Sequence, residues 1–109
     1  MSTRCQVVVK DKYESLWLCH HWDGYPEAML PILNAFLDKV RDKTYRNNAS
    51  QSIGWLIINN RPDYTYDFNR WQASEFEPCT PELYGDTKYL YTVDLEALEI
   101  TYKEIKGED

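Results

Sequence analysis

Two imidazoles, a thiol and a carboxylate fall within the segment Cys19-His20-His21-Trp22-Asp23. Cysteine and histidine are the usual zinc ligands. A carboxylate that orients a histidine ring makes an acid–base pair, and a thiol or serine beside it would be the nucleophile. Each reading meets an obstacle. Neighbouring residues of a strand point to opposite faces, so one ion cannot readily take both His20 and His21. Cys5, placed across from His20, is a better partner, but only a distant group such as Cys79 or Asp23 could complete a site. Zinc-ligand spacing, a nucleophile elbow, an oxyanion motif and a phosphate loop are all missing from the sequence. Ordinary packing therefore outweighs a metal site, and a bracing role for Asp23 outweighs catalysis. No catalytic residue, metal ligand or cofactor is assigned.

The elements that must position this corner are legible on either side of it. Arg4 to Lys10 reads as a strand centred on three valines, Asp11 to Glu14 as a turn, and Ser15 to Trp22 as a second strand. A four-residue loop makes this a hairpin. Its register sets Lys10 against Ser15, Val9 against Leu16, Val7 against Leu18 and Cys5 against His20. Cys5, Val7, Val9, Leu16, Leu18, His20 and Trp22 then share the core face. Arg4, Gln6, Val8, Lys10, Trp17, Cys19 and His21 share the other, which reads as partly wet. Asp23-Gly24 turns the chain and Pro26 presets a helix, with Gly24 expected at a positive φ. The helix runs to about Asp42 with an apolar stripe of Met29, Ile32, Leu33, Phe36, Leu37 and Val40. Pro31 places its regular start near Leu30. Asn48 caps a second helix that buries Ala49, Ile53, Leu56 and Ile57.

Residues 62–86 are rich in proline, acids and aromatics, with a short strand expected near Tyr64 to Phe68 or Gln72 to Glu77. Lys88 to Leu95 and Leu98 to Ile105 form a closing hairpin that pairs Val93 with Ile100 and Tyr91 with Tyr102. Strands in hairpins with helices between them predict an α+β fold. The expectation is one domain over 1–109, with an antiparallel sheet of about four strands and two helices on one face.

Charge narrows the partners. The chain of 109 residues has net charge −6. Residues 49–109 hold five Lys/Arg against twelve Asp/Glu, while residues 1–48 hold seven against six. So acidic a half argues against direct nucleic-acid binding, which needs a basic footprint. Three cysteines without a Cys-x-x-Cys suit a reducing cytoplasm, and no run is apolar enough to span a bilayer. Two surfaces are candidates for binding a protein. One is the outer sheet face and corner with Trp17, His21, Trp22, Asp23 and Tyr25. The other is the acidic aromatic stretch with Tyr64, Tyr66 and Trp71.

The heptapeptide His21-Trp22-Asp23-Gly24-Tyr25-Pro26-Glu27 resembles a motif of small uncharacterised bacterial and phage proteins in which a hairpin precedes an HWDGYP-type turn. The stretch from Tyr84 to Leu95 resembles their C-terminal ending. No activity comes with the resemblance. It implies a prokaryotic or mobile-element origin, where many short accessory proteins act by binding host proteins. The expectation is a small cytoplasmic, non-catalytic binding protein that engages a host macromolecule, most simply a protein. Its HWDGYP turn, through Asp23, Gly24 and Pro26, serves structure. The alternative is a small-ligand or metal-dependent enzyme using His20, His21 and Asp23.

Overall fold

A computed structural model describes residues 3–60 and 75–105. The candidate residues Tyr64, Tyr66 and Trp71, and the strand expected at Tyr64 to Phe68, lie outside the described residues. The elements are β1 Arg4–Lys10, β2 Ser15–His20, α1 Pro26–Arg41, α2 Ala49–Asn59, β3 Phe76–Cys79, β4 Thr87–Asp94 and β5 Glu99–Glu104.

The fold is α+β, with two helices and one sheet. The sheet has five strands, in the order β3-β2-β1-β4-β5. It is mixed, where four antiparallel strands were expected. β1 and β4 pair in parallel at its centre, and the other pairings are antiparallel. The two hairpins lie side by side, so their inner strands β1 and β4 meet. The chain between them crosses over through both helices and β3, which brings β4 in parallel to β1, as a crossover connection does. The fifth strand, β3, overlaps the alternative expected at Gln72 to Glu77 and lies two residues further on, through Pro78 to Cys79.

Both hairpins keep the register their loops imply. Cys5 faces His20, Val7 faces Leu18 and Val9 faces Leu16. Val93 faces Ile100 and Tyr91 faces Tyr102. The turn of the first hairpin is fixed by Asp11, whose Oδ1 accepts from the Tyr13 and Glu14 amides and whose Oδ2 accepts from the Ala49 amide. These bonds, that from Ala49 foremost, hold its carboxyl below the usual range. One side chain therefore ties the turn to the first residue of α2. Asn48, the residue before it, caps the helix by accepting from the Gln51 amide.

The core is built from the face carrying Cys5, Val7, Val9, Leu18, Tyr91 and Val93. Met29, Leu33, Phe36, Leu37 and Val40 of α1 and Ala49 and Leu56 of α2 pack onto it. α1 is continuous from Pro26, so the regular helix does not wait until Leu30. Pro26 occupies the first helical position, where a missing N–H is harmless. Pro31 sits inside the helix and lacks the N–H that would have bonded the Glu27 carbonyl. The core stripe around it, with Met29 and Leu33 fully buried, holds the helix regular across that gap.

The opposite face departs from the expectation of a wet surface at one place. Gln6, Val8 and Cys19 are buried. Gln6 explains this, because its side chain is a four-way staple for the segment before β4. Its Nε2 donates to the Glu82 carbonyl at 2.8 Å and to Cys79 Sγ at 3.7 Å. Its Oε1 accepts from the Tyr84 amide at 3.0 Å and from the Thr87 hydroxyl at 2.6 Å. A buried amide with every group satisfied fixes a loop at little energetic cost, whereas an unsatisfied one would expel it.

Candidate functional site

The corner is seated by backbone bonds. β2 ends at His20, so His21 and Trp22 already belong to the turn. The Gly24 amide donates to the Thr3 carbonyl at 2.8 Å, beside the start of β1. The Gly24 carbonyl accepts from the Tyr91 hydroxyl at 2.7 Å, deep in the core. Burial raises the Tyr91 phenol well above its ordinary value, so it stays a donor at any ordinary pH.

Positive φ falls on Asp23, at 53°, and not on Gly24. Asp is one of the few residues that tolerate the left-handed region. Gly24 is required for a different reason. A Cβ there would lie 2.8 Å from both Cys5 Cβ and the Thr3 carbonyl oxygen. The turn has to approach β1 at backbone distance to make its bond, and only glycine leaves the space.

The two histidines diverge. His20 is 2% exposed on the core side, with its ring edge-on to Phe76 at 4.7 Å and tilted against Trp22 at 6.1 Å. Glu75 Oε2 is 3.5 Å from His20 Nε2, too distant for a good hydrogen bond, and among the described residues both ring nitrogens lack one. Burial lowers the His20 pKa, with Glu75 pulling the other way. His21 points outward, half-exposed, and its Nε2 contacts Glu77 Oε1. Glu75 and Glu77 flank Phe76, so this edge strand supplies one carboxylate to each imidazole. Sequence reasoning missed both acids, because β3 pairs with β2 from more than fifty positions away and carries no local signal of that pairing.

The remaining predicted residues scatter. Trp17 is half-buried, directly opposite Cys79 in the β2–β3 pair. Tyr25 is exposed at the head of α1, with its hydroxyl 3.5 Å from Asp23 Oδ1. Trp22 is half-buried beside both imidazoles. A cavity of about 20 Å³ lies beside the corner, among Cys5, Gln6, Cys19, His20, His21 and Thr87. That is room for about one water. Among the described residues, no group of three or more His, Cys, Asp or Glu is placed to hold a metal ion.

A larger concavity lies elsewhere. Between α1 and α2 runs a groove of about 410 Å³, floored by Phe36 and Leu56 and walled by Ile32, Ala35, Tyr45 and Trp55. The Tyr45 and Trp55 rings stack 4.5 Å apart with planes 8° from parallel. The Tyr45 hydroxyl accepts from Asn59 Nδ2 at 2.7 Å, which locks the wall in place. Trp55 is 36% exposed, and Ile58, one helical turn on, is 56% exposed. The sequence did contain a signal for this groove. α2 carries Ile53, Trp55, Leu56, Ile57 and Ile58, more apolar residues than one buried stripe requires, and the surplus must face outward.

Comparison with known proteins finds no match among family models, curated proteins or solved structures.

Two outcomes are expected at the corner. Gly24→Ala should destabilise the protein by about 1–3 kcal/mol through overpacking against β1. Asp23→Gly should be neutral or stabilising, because it removes the left-handed strain. Thermal and urea melts of the two variants read the difference, and a Gly24→Ala melt matching wild type contradicts the seat. The second concerns pH. Unfolded histidine titrates near 6.5, and folded His20 titrates lower. Between those values the unfolded chain holds a proton that the folded one does not, so stability should fall as pH drops below about 6.5. Urea melts should show that fall reduced in His20→Leu and retained in His21→Leu. Equal slopes in wild type and His20→Leu would contradict the assignment.

Proposed function

We propose that this protein is a non-catalytic binding module whose contact surface is the α1/α2 groove around Trp55. The observation that supports this is the outward-facing aromatic wall. Tyr45 is packed against the core and stacks on Trp55, which is left partly exposed with Ile58 one helical turn on. A rigid, partly exposed tryptophan next to a shallow apolar channel is the usual anchor of a protein contact. The partner's contribution would be aliphatic or aromatic side chains. With the chain's net charge at −6, basic groups around them would aid the encounter.

Of the two surfaces expected from sequence, the stretch with Tyr64, Tyr66 and Trp71 lies outside the described residues, and the outer sheet face has weaker support. Trp17 is half-buried and His21 is engaged with Glu77. The enzyme alternative at His20, His21 and Asp23 has less support, because His20 is buried, His21 is engaged with Glu77, and the cavity that both adjoin has room for about one water. The bacterial or phage origin implied by the HWDGYP resemblance fits a short accessory protein that works by binding a host protein. Among the described residues, no helix is long and apolar enough to cross a membrane.

The test is comparative capture from bacterial lysate by tagged wild type, Trp55→Ala and His21→Ala, with thermal melts to confirm that each is folded. A protein retained by wild type and His21→Ala but lost by Trp55→Ala is expected. The loss should be at least about 2 kcal/mol, roughly thirtyfold in affinity. Retention undiminished in Trp55→Ala overturns the reading.

A further inference from the structure

A second pair of groups, unconnected with the groove, carries a chemical inference. Trp17 opposes Cys79 and Cys19 opposes Glu77, so Cys19 and Cys79 sit on the same face of adjacent strands, two positions apart along the ladder. Gln6 lies directly across from Cys19 on β1 and donates to Cys79 Sγ at 3.7 Å. Gln6 thus links the two cysteines, lying across from one and bonded to the sulfur of the other. Cys19 is buried and Cys79 is partly exposed, so an oxidant arriving from solvent meets Cys79 first. Cys5 belongs to the opposite face, fully buried against the Gly24 turn.

We propose that Cys19 and Cys79 are a peroxide-responsive dithiol that closes into a disulfide between β2 and β3. The Cys79 sulfur attacks a peroxide oxygen and the O–O bond breaks. With hydrogen peroxide, water leaves and Cys79 becomes a sulfenic acid, oxidised by two electrons as the peroxide is reduced. The Cys19 sulfur then displaces the sulfenic hydroxyl, which departs as water with the Cys19 proton, and the S–S bond forms. Burial pushes the Cys19 thiol up to about 12, which makes this second step the slow one.

Backbone geometry allows the closure at a modest cost. Diagonal neighbours on antiparallel strands lie roughly 7–8 Å apart. A disulfide accepts Cα separations up to about 6.8 Å. β3 therefore has to move by about 1 Å, and a four-residue strand at the edge of the sheet among the described residues is the element best able to do so. A bond closed under such strain is readily reduced again, which suits reversible oxidation.

The experiment treats the full chain with hydrogen peroxide, alkylates the remaining thiols and maps the peptides by mass spectrometry. The expected product is monomeric, has lost two hydrogens, links Cys19 to Cys79, keeps Cys5 free, and returns to the starting mass with dithiothreitol. Cys5→Ser should form the same link and Cys79→Ser should not. Cys79→Ser changes a partly exposed position and keeps a polar acceptor for Gln6, so it serves as the control even if Cys19→Ser fails to fold. Cys79 accumulating as sulfinic acid without the link, or a disulfide to Cys5 or between molecules, would overturn the proposal.

Discussion

The close seating of Gly24 on β1 is the constraint that organises this molecule. Its amide reaches the Thr3 carbonyl and its carbonyl receives the Tyr91 hydroxyl, so one residue is bonded to the chain entering β1 and to the centre of β4. Those are the strands whose parallel pairing joins the two hairpins. α1 begins two residues later, at Pro26, and its direction over the sheet is inherited from this turn. The richest cluster of reactive side chains is consequently a structural joint. Its two imidazoles differ in burial, His20 inward and His21 half-exposed, and each lies near a glutamate flanking Phe76.

Polar side chains perform the same service elsewhere. Gln6 fastens the segment before β4 over one sheet face, and Asp11 fastens the first hairpin to α2. At the far end of the sheet, Arg41 of α1 reaches the Leu98 carbonyl at 2.7 Å, and Asn47 reaches the Leu95 carbonyl at 3.1 Å. These bonds link loops that few apolar contacts could hold. With the joints fixed, Trp55 and Ile58 remain exposed on the outward side of the helix pair, the proposed contact surface, and Cys19 and Cys79 form a separate pair beneath the Gln6 staple.

What the sequence revealed and what it hid divide along a physical line. Pairings within a hairpin are decided by the turn between the strands, so Cys5 with His20 and Tyr91 with Tyr102 were legible. The face of each histidine followed from the same phase. Contacts between segments remote in sequence were not legible. No local pattern announces that β4 lies parallel to β1, that Glu75 and Glu77 flank the histidines, or that Gln6 has four partners some seventy to eighty positions away. Gly24 was singled out correctly for the wrong cause. A dihedral requirement is a local inference, whereas the approach of Cys5 is a tertiary one. In the helix pair, the one-sided stripe of α1 was plain, but the surplus of apolar residues in α2 went unused.

Native-state hydrogen exchange at the Gly24 amide tests the central claim most directly. If the turn is the joint on which the fold depends, that amide exchanges only with global unfolding and shows the same protection free energy as the Val7 and Val9 amides of β1. An amide at Gly24 that exchanges at the rate of an open surface turn, while those of Val7 and Val9 stay protected, would mean that the corner is peripheral to the fold and would contradict the account.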